Sequence, residues 1–281
     1  MTHVDLLFIV AAHNRRMLTT AAAQAALSSA HSAGKSAYVV VFDDGSTDGT
    51  GEALAALSNV TVVAGDGTSF WARGMAAAEE AALSLFDSFH YLVWLNDDVD
   101  LDADFVERAL EAAPEDPGVL ICSTRDPISH EATYGGLKRA GAHPLSFDLI
   151  EPTASNQKAQ AMNGNLVFVS TTARARIGAI DGRFSHGFAD IDYGVRCSRS
   201  QVKLEVAPGT FGACARNPVR TYDNRLDAWR VFVSERGGGH LSSLARMLRK
   251  LRPRTWVLWL AATYVRWWQR HALPQSTYPS T

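Results

Sequence analysis

Three acidic clusters in this sequence carry residue types that can do chemistry, and each stands beside an apolar run or a helix start. In "YLVWLNDDVDL", residues 91–101, five apolar-leaning residues run straight into Asn96, Asp97, Asp98 and Asp100. Carboxylates this close repel one another unless a cation neutralises them, and hard oxygen ligands select Mg²⁺ or Mn²⁺. Such an ion can bridge a diphosphate and stabilise it as it leaves. The same residues also read as a solvated turn, with Asp102 capping the next helix. In "VVVFDDGSTDGT", Asp43 and Asp44 end a strand ahead of a Gly-Ser-Thr-Asp turn. Their oxygens can hold a base and ribose, or Thr47 and Asp48 simply cap the next helix. In "GFADIDYGVRC", Asp190 and Asp192 lie two apart at a helix start, so they point in different directions and one alone can aim at a given reacting atom. Asp190 suits either a cap or a general base that takes a proton from an attacking hydroxyl.

The elements that must position these clusters alternate. "VDLLFIVAA" is followed by an Ala-rich helix over about 16–33, "SAYVVVFDD" by a helix over about 49–57, "NVTVVAG" by one over about 73–87, and then comes "HYLVWLN". Continuous Val/Ile/Leu strands separated by helices predict an α/β fold with a mostly parallel sheet covered on both faces. Ligands bind such sheets at the C-terminal strand ends. "HNR" at 13–15, "DDGSTD" at 43–48, "GDGTSFWARG" at 65–74 and "NDDVD" at 96–100 all fall there. Beyond residue 124 the alternation decays into Gly/Pro/His-rich connections, before a strand "GNLVFVS", a short helix from Thr172 and a helix over about 190–200.

The chain has 281 residues, 47% hydrophobic and 20% charged, with a formal net charge of -2, which suits a globular protein and not a nucleic-acid binder. That mean conceals an asymmetry. No Asp or Glu occurs from Leu241 onward, while Arg246, Arg249, Lys250, Arg252, Arg254, Arg266 and Arg270 do. The spacing therefore divides the chain into a domain over 1–240, with halves at about 1–124 and 125–240, and a basic, Trp-rich helical tail over 241–281. The run over 256–268 is too short to span a bilayer. Its Trp and Arg residues fit an interfacial anchor on an anionic leaflet, or a helix docked on the domain or on a second subunit. Cys122, Cys197 and Cys214 are scattered and odd in number, which suits a reducing cytoplasm better than a disulfide framework or a zinc site. Cys214 reads as a small buried residue. "LLFIVAA" lacks a basic leader and reads as a buried strand.

In their order along the chain, "DDGSTD", "FWARGM", "NDD", "NGN" and "GFADIDYGVR" resemble family 2 glycosyltransferases of the GT-A fold, and especially the bacterial rhamnosyltransferase-like branch that builds surface polysaccharides such as O-antigen. The resemblance covers residues 4–220. It implies an inverting transfer of a sugar from a UDP- or dTDP-linked donor to a hydroxyl of a glycan or polyprenyl-diphosphate-linked acceptor, with Mg²⁺ or Mn²⁺ as cofactor. It implies that Ala11, Ala12, His13 and Asn14 touch the nucleotide, that Asp43 and Asp44 meet the base, and that Asp98 binds the metal with Asp97 in support. Trp71 and Arg73 would belong to a loop closing toward nucleotide and sugar. Asn163, Gly164, Asn165, His186 and Asp192 would line the donor and acceptor sugars, and Asp190 would be the catalytic base. Two positions depart from the pattern: Ala189 precedes the base, and the metal motif reads Asn-Asp-Asp. His240, after "RGGG", is a candidate to reach the metal, and Arg216 or Arg220 to meet phosphate. The enzyme would be cytoplasmic and peripheral on the inner face of the membrane, and a homo-oligomer is compatible with the sequence. The alternatives are a non-catalytic nucleotide-sugar or glycan-binding module and a sugar nucleotidyltransferase, although "AAHNRR" lacks the glycines of a phosphate loop. An NAD-dependent oxidoreductase is excluded by the absence of G-x-G-x-x-G after the first strand.

Overall fold

The computed structural model describes residues 2–217, 222 and 224–271. The first half alternates as the apolar periodicity dictates: β1 (His3–Ala12), α1 (Arg16–Ser32), β2 (Ala37–Asp43), α2 (Thr50–Ala55), β3 (Val60–Ala64), α3 (Phe70–Leu85), β4 (Ser88–Leu95), β5 (Asp100–Leu101), α4 (Phe105–Glu111) and β6 (Gly118–Arg125). The middle contains short strands that the sequence did not announce: β7 (Ala132–Tyr134), β8 (Gly136–Arg139), β9 (Phe147–Leu149), β10 (Gln157–Lys158) and β11 (Ala161–Met162). Then follow β12 (Leu166–Ser170), α5 (Thr171–Ile177), α6 (Ala189–Arg199), β13 (Lys203–Ala213), α7 (Arg225–Val233), α8 (Leu241–Leu251) and α9 (Trp256–Arg270).

The main sheet runs β10-β13-β6-β12-β4-β1-β2-β3, and β11-β8-β9 form a second, small sheet. β1 pairs in parallel with β2 and β4, β2 with β3, and β6 with β13, whereas β12 is antiparallel to both β4 and β6. The sheet is thus mostly parallel, with β12 reversed inside it and the short strands β5, β7 and β10 antiparallel at its margin. Because successive side chains of a strand point to opposite faces, β1 feeds two cores. Leu7 and Ile9 pack with Met75 and Ala78 of α3 and with Tyr193 of α6, while Leu6, Phe8 and Val10 pack with Ala22, Ala23 and Ala26 of α1 and Phe105 of α4. Small alanines on α1 let that helix lie close to the sheet.

The division at residue 240 is not a packing boundary. Ser243, Leu244, Ala245, Met247, Leu248 and Leu251 of α8 are buried, and Met247 and Leu251 join the core beneath α3 and α6. Arg246 Nη2 and Lys250 Nζ reach Asp181 Oδ2 at 2.6 and 2.8 Å. The basic character of α8 therefore serves attachment to the domain. All three cysteines are buried and free.

Candidate active site

A cleft of about 920 Å³ opens at the C-terminal ends of β1, β2 and β4 and extends across β12 and the start of α6 to α7 and α9. It is built where strands end and backbone amides lose their ladder partners, so its carboxylates are held mainly by the main chain. Asp44, buried one residue beyond β2, accepts from Gly67 N at 2.9 Å through Oδ1, and from Ser69 N at 2.9 Å and Phe70 N at 3.0 Å through Oδ2. It clamps the loop that leads into α3. Gly65 is required beside it, because a Cβ there would sit 2.8 Å from Asp44 Oδ1 and 2.6 Å from the Phe42 ring.

The β4 end carries the acidic pair. Arg15, the residue before α1, donates through Nη1 to Asp97 Oδ1 and to Asp98 Oδ2, both at 2.8 Å. Burial pushes the Asp97 carboxyl up to about 6, and the Asp98 charge adds to this while Arg15 opposes it. Asp98 is more open, and the Cys214 thiol lies 3.7 Å from its Oδ1. Desolvation pushes that thiol up to about 12, with the Asp98 charge acting in the same direction, so it is a protonated, weak donor. Asn96 accepts from the Trp71 indole N–H at 2.8 Å, which fixes that ring in the cleft wall.

Opposite the pair, the α6 start presents Asp190. Its Oδ1 accepts from Ile191 N at 2.8 Å and its Oδ2 from Gly164 N at 3.3 Å, and no cation among the described residues pairs with it. Burial raises its carboxyl to about 6, against the lowering effect of those amides. Gly164 is the hinge of this corner: a Cβ on it would sit 2.7 Å from the Trp71 ring and 3.4 Å from Asp190 Cβ. Glycine here allows indole, backbone and the Asp190 side chain to meet.

Of the residues singled out in the sequence, Ala11, His13, Asp44, Trp71, Asp97, Asp98, Asn163, Gly164, Asn165, His186 and Asp190 line this cleft together. Desolvation, with Arg236 and Arg15 nearby, lowers the His186 imidazole below its ordinary value, favouring the neutral ring. Others lie elsewhere. Ala12 is buried within β1 packing, and Asp43 accepts from Ser46 N at 3.1 Å in the turn. Asn14 Oδ1 accepts from Thr47 N at 2.8 Å, and so ties two loops together. Trp71 and Arg73 stand on α3, which begins at Phe70, and not in a closing loop, and Arg73 turns to Thr68 O at 3.5 Å. Asp192 is corrected to a structural role: it is 2% exposed and bonds Arg196 Nε at 2.9 Å and Lys250 Nζ at 2.7 Å, away from the cleft. His240 does not face the acidic pair, because its Nδ1 lies 3.0 Å from Ser185 Oγ. Arg216 donates to Ala132 O at 3.2 Å, and Arg220 lies outside the described residues.

Sequence reasoning passed over Arg15, Tyr134, Arg236, Phe232, Trp267 and His271, all in the cleft wall. Arg15 had a signal, a cation directly after the first strand and facing the acids. The aromatic wall from α7 and α9 had none, since it depends on how the C-terminal helices dock. The acidic pair offers hard oxygen donors that open onto the cleft, which fits a divalent ion. Among the described residues one His/Asp cluster with metal-binding spacing, His3, Asp5 and His90, sits at the opposite end of the sheet and adds nothing to the cleft.

Two solved structures share the fold. "Crystal structure of GalNAc-T7 with UDP, GalNAc and Mn2+" aligns with a TM-score of 0.59 at 12% identity, covering 98% of this chain and 52% of that one. The chain thus spans about half the length of that neighbour. S. aureus TarS 1-349 aligns with a TM-score of 0.54 at 11% identity, covering 97% of this chain and 93% of that one. No curated protein sequence matches the chain. The family model described as "Glycosyl transferase family 2" matches residues 7–179, more than half of the chain. With a GT-A fold and this match, the chain belongs to glycosyl transferase family 2.

Proposed function

We propose that the protein is an inverting glycosyltransferase that moves a sugar from a UDP- or dTDP-linked donor to a hydroxyl of a glycan or lipid-linked glycan, in the rhamnosyltransferase-like branch that serves bacterial surface polysaccharide. One observation carries this reading. A single cleft contains a paired-carboxylate site suited to a nucleoside diphosphate and, across Trp71 and Gly164, a desolvated carboxylate with no cationic partner among the described residues.

In this reading the Asp190 carboxylate takes the proton of the acceptor hydroxyl. The freed oxygen pair forms a bond to the anomeric carbon, the bond from that carbon to the diphosphate oxygen breaks, and its electrons leave with the nucleoside diphosphate. A base raised to about 6 is ionised at neutral pH yet basic enough to accept a proton. A divalent ion held by Asp98 with Asp97 would supply positive charge to the diphosphate as it leaves. Arg15 supplies the fixed cation of the same corner, and its single charge offsets part of that of the two carboxylates it bridges. Trp71, held by Asn96, excludes water from the reacting corner.

The test is release of UDP or dTDP from a panel of nucleotide sugars with Mg²⁺ or Mn²⁺, run with wild type and Asp190→Asn. Donor binding without turnover on any acceptor, in both proteins, would point to a binding module and overturn the reading.

A further inference from the structure

The last helix has two unlike sides. One side docks on the domain: Thr263 Oγ1 lies 3.0 Å from His143 Nε2, Tyr264 donates to Gly239 O at 2.9 Å, and Trp267 packs on Trp229 and Phe232 with ring centroids 5.0 and 5.4 Å apart. The opposite side carries Val257, Ala261, Val265 and Trp268, whose spacing of four, four and three residues marks one helical face. Leu258 borders it. Val257 is 55%, Leu258 69% and Val265 54% exposed, while Trp268, 37% exposed, also packs its ring on Trp229 at 5.3 Å and closes one end of the face. Apolar side chains gathered on one outward face, with no helix residue buried, are unusual for a surface in contact with water alone.

Charge identifies what would cover this face. Arg249, Arg252, Arg254, Arg266 and Arg270 are exposed on α8, α9 and the turn between them, and among the described residues none forms an ion pair with a carboxylate, Arg249 lying over the Trp256 ring at 4.0 Å. The nearby cations that do have carboxylate partners, Arg246 and Lys250, are those pointing inward to Asp181 and Asp192. The segment thus separates its cations into inward attachments and an outward rim. An apolar stripe flanked by unpaired arginines, with Trp at its end, matches the interface of an anionic bilayer, where apolar groups enter the acyl boundary and arginines meet headgroup phosphates. No helix among the described residues is long and apolar enough to cross a membrane, so the helix would lie in the surface plane.

We propose that the outward face of α9 is a docking surface for an anionic lipid leaflet. The same helix places Trp267, and beside it His271, in the cleft wall. Docking would therefore bring the cleft mouth to the lipid, where a lipid-linked acceptor would be presented. The acceptor part of this statement rests on the proposed glycosyl transfer; the lipid contact does not.

The experiment is sedimentation of the full chain with sucrose-loaded vesicles of phosphatidylcholine alone or with one quarter phosphatidylglycerol, with no nucleotide sugar present. Binding is expected to the anionic vesicles alone and to weaken in high salt. Leu258→Asp with Val265→Asp should lower it at least tenfold, and Arg252→Glu or Arg254→Glu about fivefold or more each, since each arginine near such a surface contributes about that factor. Both aspartate sites are exposed, so the thermal transition should match wild type, which separates lost docking from lost folding. Equal pelleting of the doubly substituted chain, no pelleting of wild type, or a concentration-dependent dimer that the same substitutions dissociate would overturn the proposal. The last result would give the face to a second copy of the chain. Failure here leaves nucleotide-sugar turnover unaffected, so the two readings fail separately.

Discussion

The carboxylates on the two sides of the cleft are held in opposite ways. At the sheet edge, Asp44 receives three main-chain N–H groups and Asp97 and Asp98 share one guanidinium. At the start of α6, Asp190 receives two N–H groups, one of them at 3.3 Å, and no cation among the described residues. Hydrogen bonds and opposite charge fix an ionised carboxylate in place, whereas desolvation with few partners leaves one ready to take a proton. Asp97 shows that an elevated pKa alone does not mark a base. It also rises to about 6, but its lone pairs face Arg15. Under the proposed function, this difference would separate residues that position a ligand from the one that exchanges a proton.

Removing Asp190 is the most direct way to break this comparison. Asp190→Asn should lower transfer by about 10³–10⁴-fold, at the upper end of what general-base loss costs, while donor affinity stays within a few-fold. A matching loss of donor affinity, read by calorimetry, would move Asp190 to the positioning group. The wild-type pH profile tests the same point. A carboxyl raised to about 6 is protonated below that pH, so kcat/KM should fall about tenfold per pH unit below it and level off above. A profile flat down to pH 5 would contradict the assignment.

At the sheet edge, Asp98→Asn should reduce turnover on the order of a hundredfold and abolish the thermal stabilisation given by Mn²⁺ with nucleoside diphosphate. An unchanged response to Mn²⁺ would assign the cation to other ligands. Asp44→Asn should act more mildly on chemistry. An amide in place of the carboxylate presents its own N–H groups to Ser69 N and Phe70 N, or to Gly67 N, and so leaves at least one buried donor unpaired. A loss of about 1–3 kcal/mol in stability is expected, with donor KM raised about tenfold as the Gly67–Phe70 turn loosens.

The strand-helix alternation, the parallel half of the sheet and the cleft at its C-terminal edge were legible because apolar period and strand-end polarity are local properties. The antiparallel β12 and the short strands from β7 to β11 were not, since pairing direction between distant segments leaves no mark on a single apolar run. Within the site the pattern is the same. Asp44, Asp98 and Asp190 stand where the motifs put them, but their partners, Gly67, Arg15 and Gly164, come from other segments. Asp192 was misread for this reason. Two residues from Asp190 in the sequence, it reads as a further acid on the sugar side, whereas Arg196 of its own helix and Lys250 from α8 hold it inward.

Asp192 therefore supplies the finest test of the contrast between positioning and proton exchange. It lies on the same helix as Asp190, is 2% exposed, and holds Arg196 at 2.9 Å and Lys250 at 2.7 Å. If it serves only to fasten α8 to α6, Asp192→Asn should leave kcat and donor KM within about twofold while lowering stability. The loss should be about 1–3 kcal/mol, because Arg196 keeps the Ile177 and Ala179 carbonyls and Lys250 keeps Asp181. Lys250→Met should reproduce that loss in denaturant melts, and the pair combined should cost less than the sum, since both substitutions remove the same contact. A selective fall in kcat for Asp192→Asn with an unchanged melting midpoint would instead place this carboxylate in the reaction, and erase the distinction between the two acids of α6.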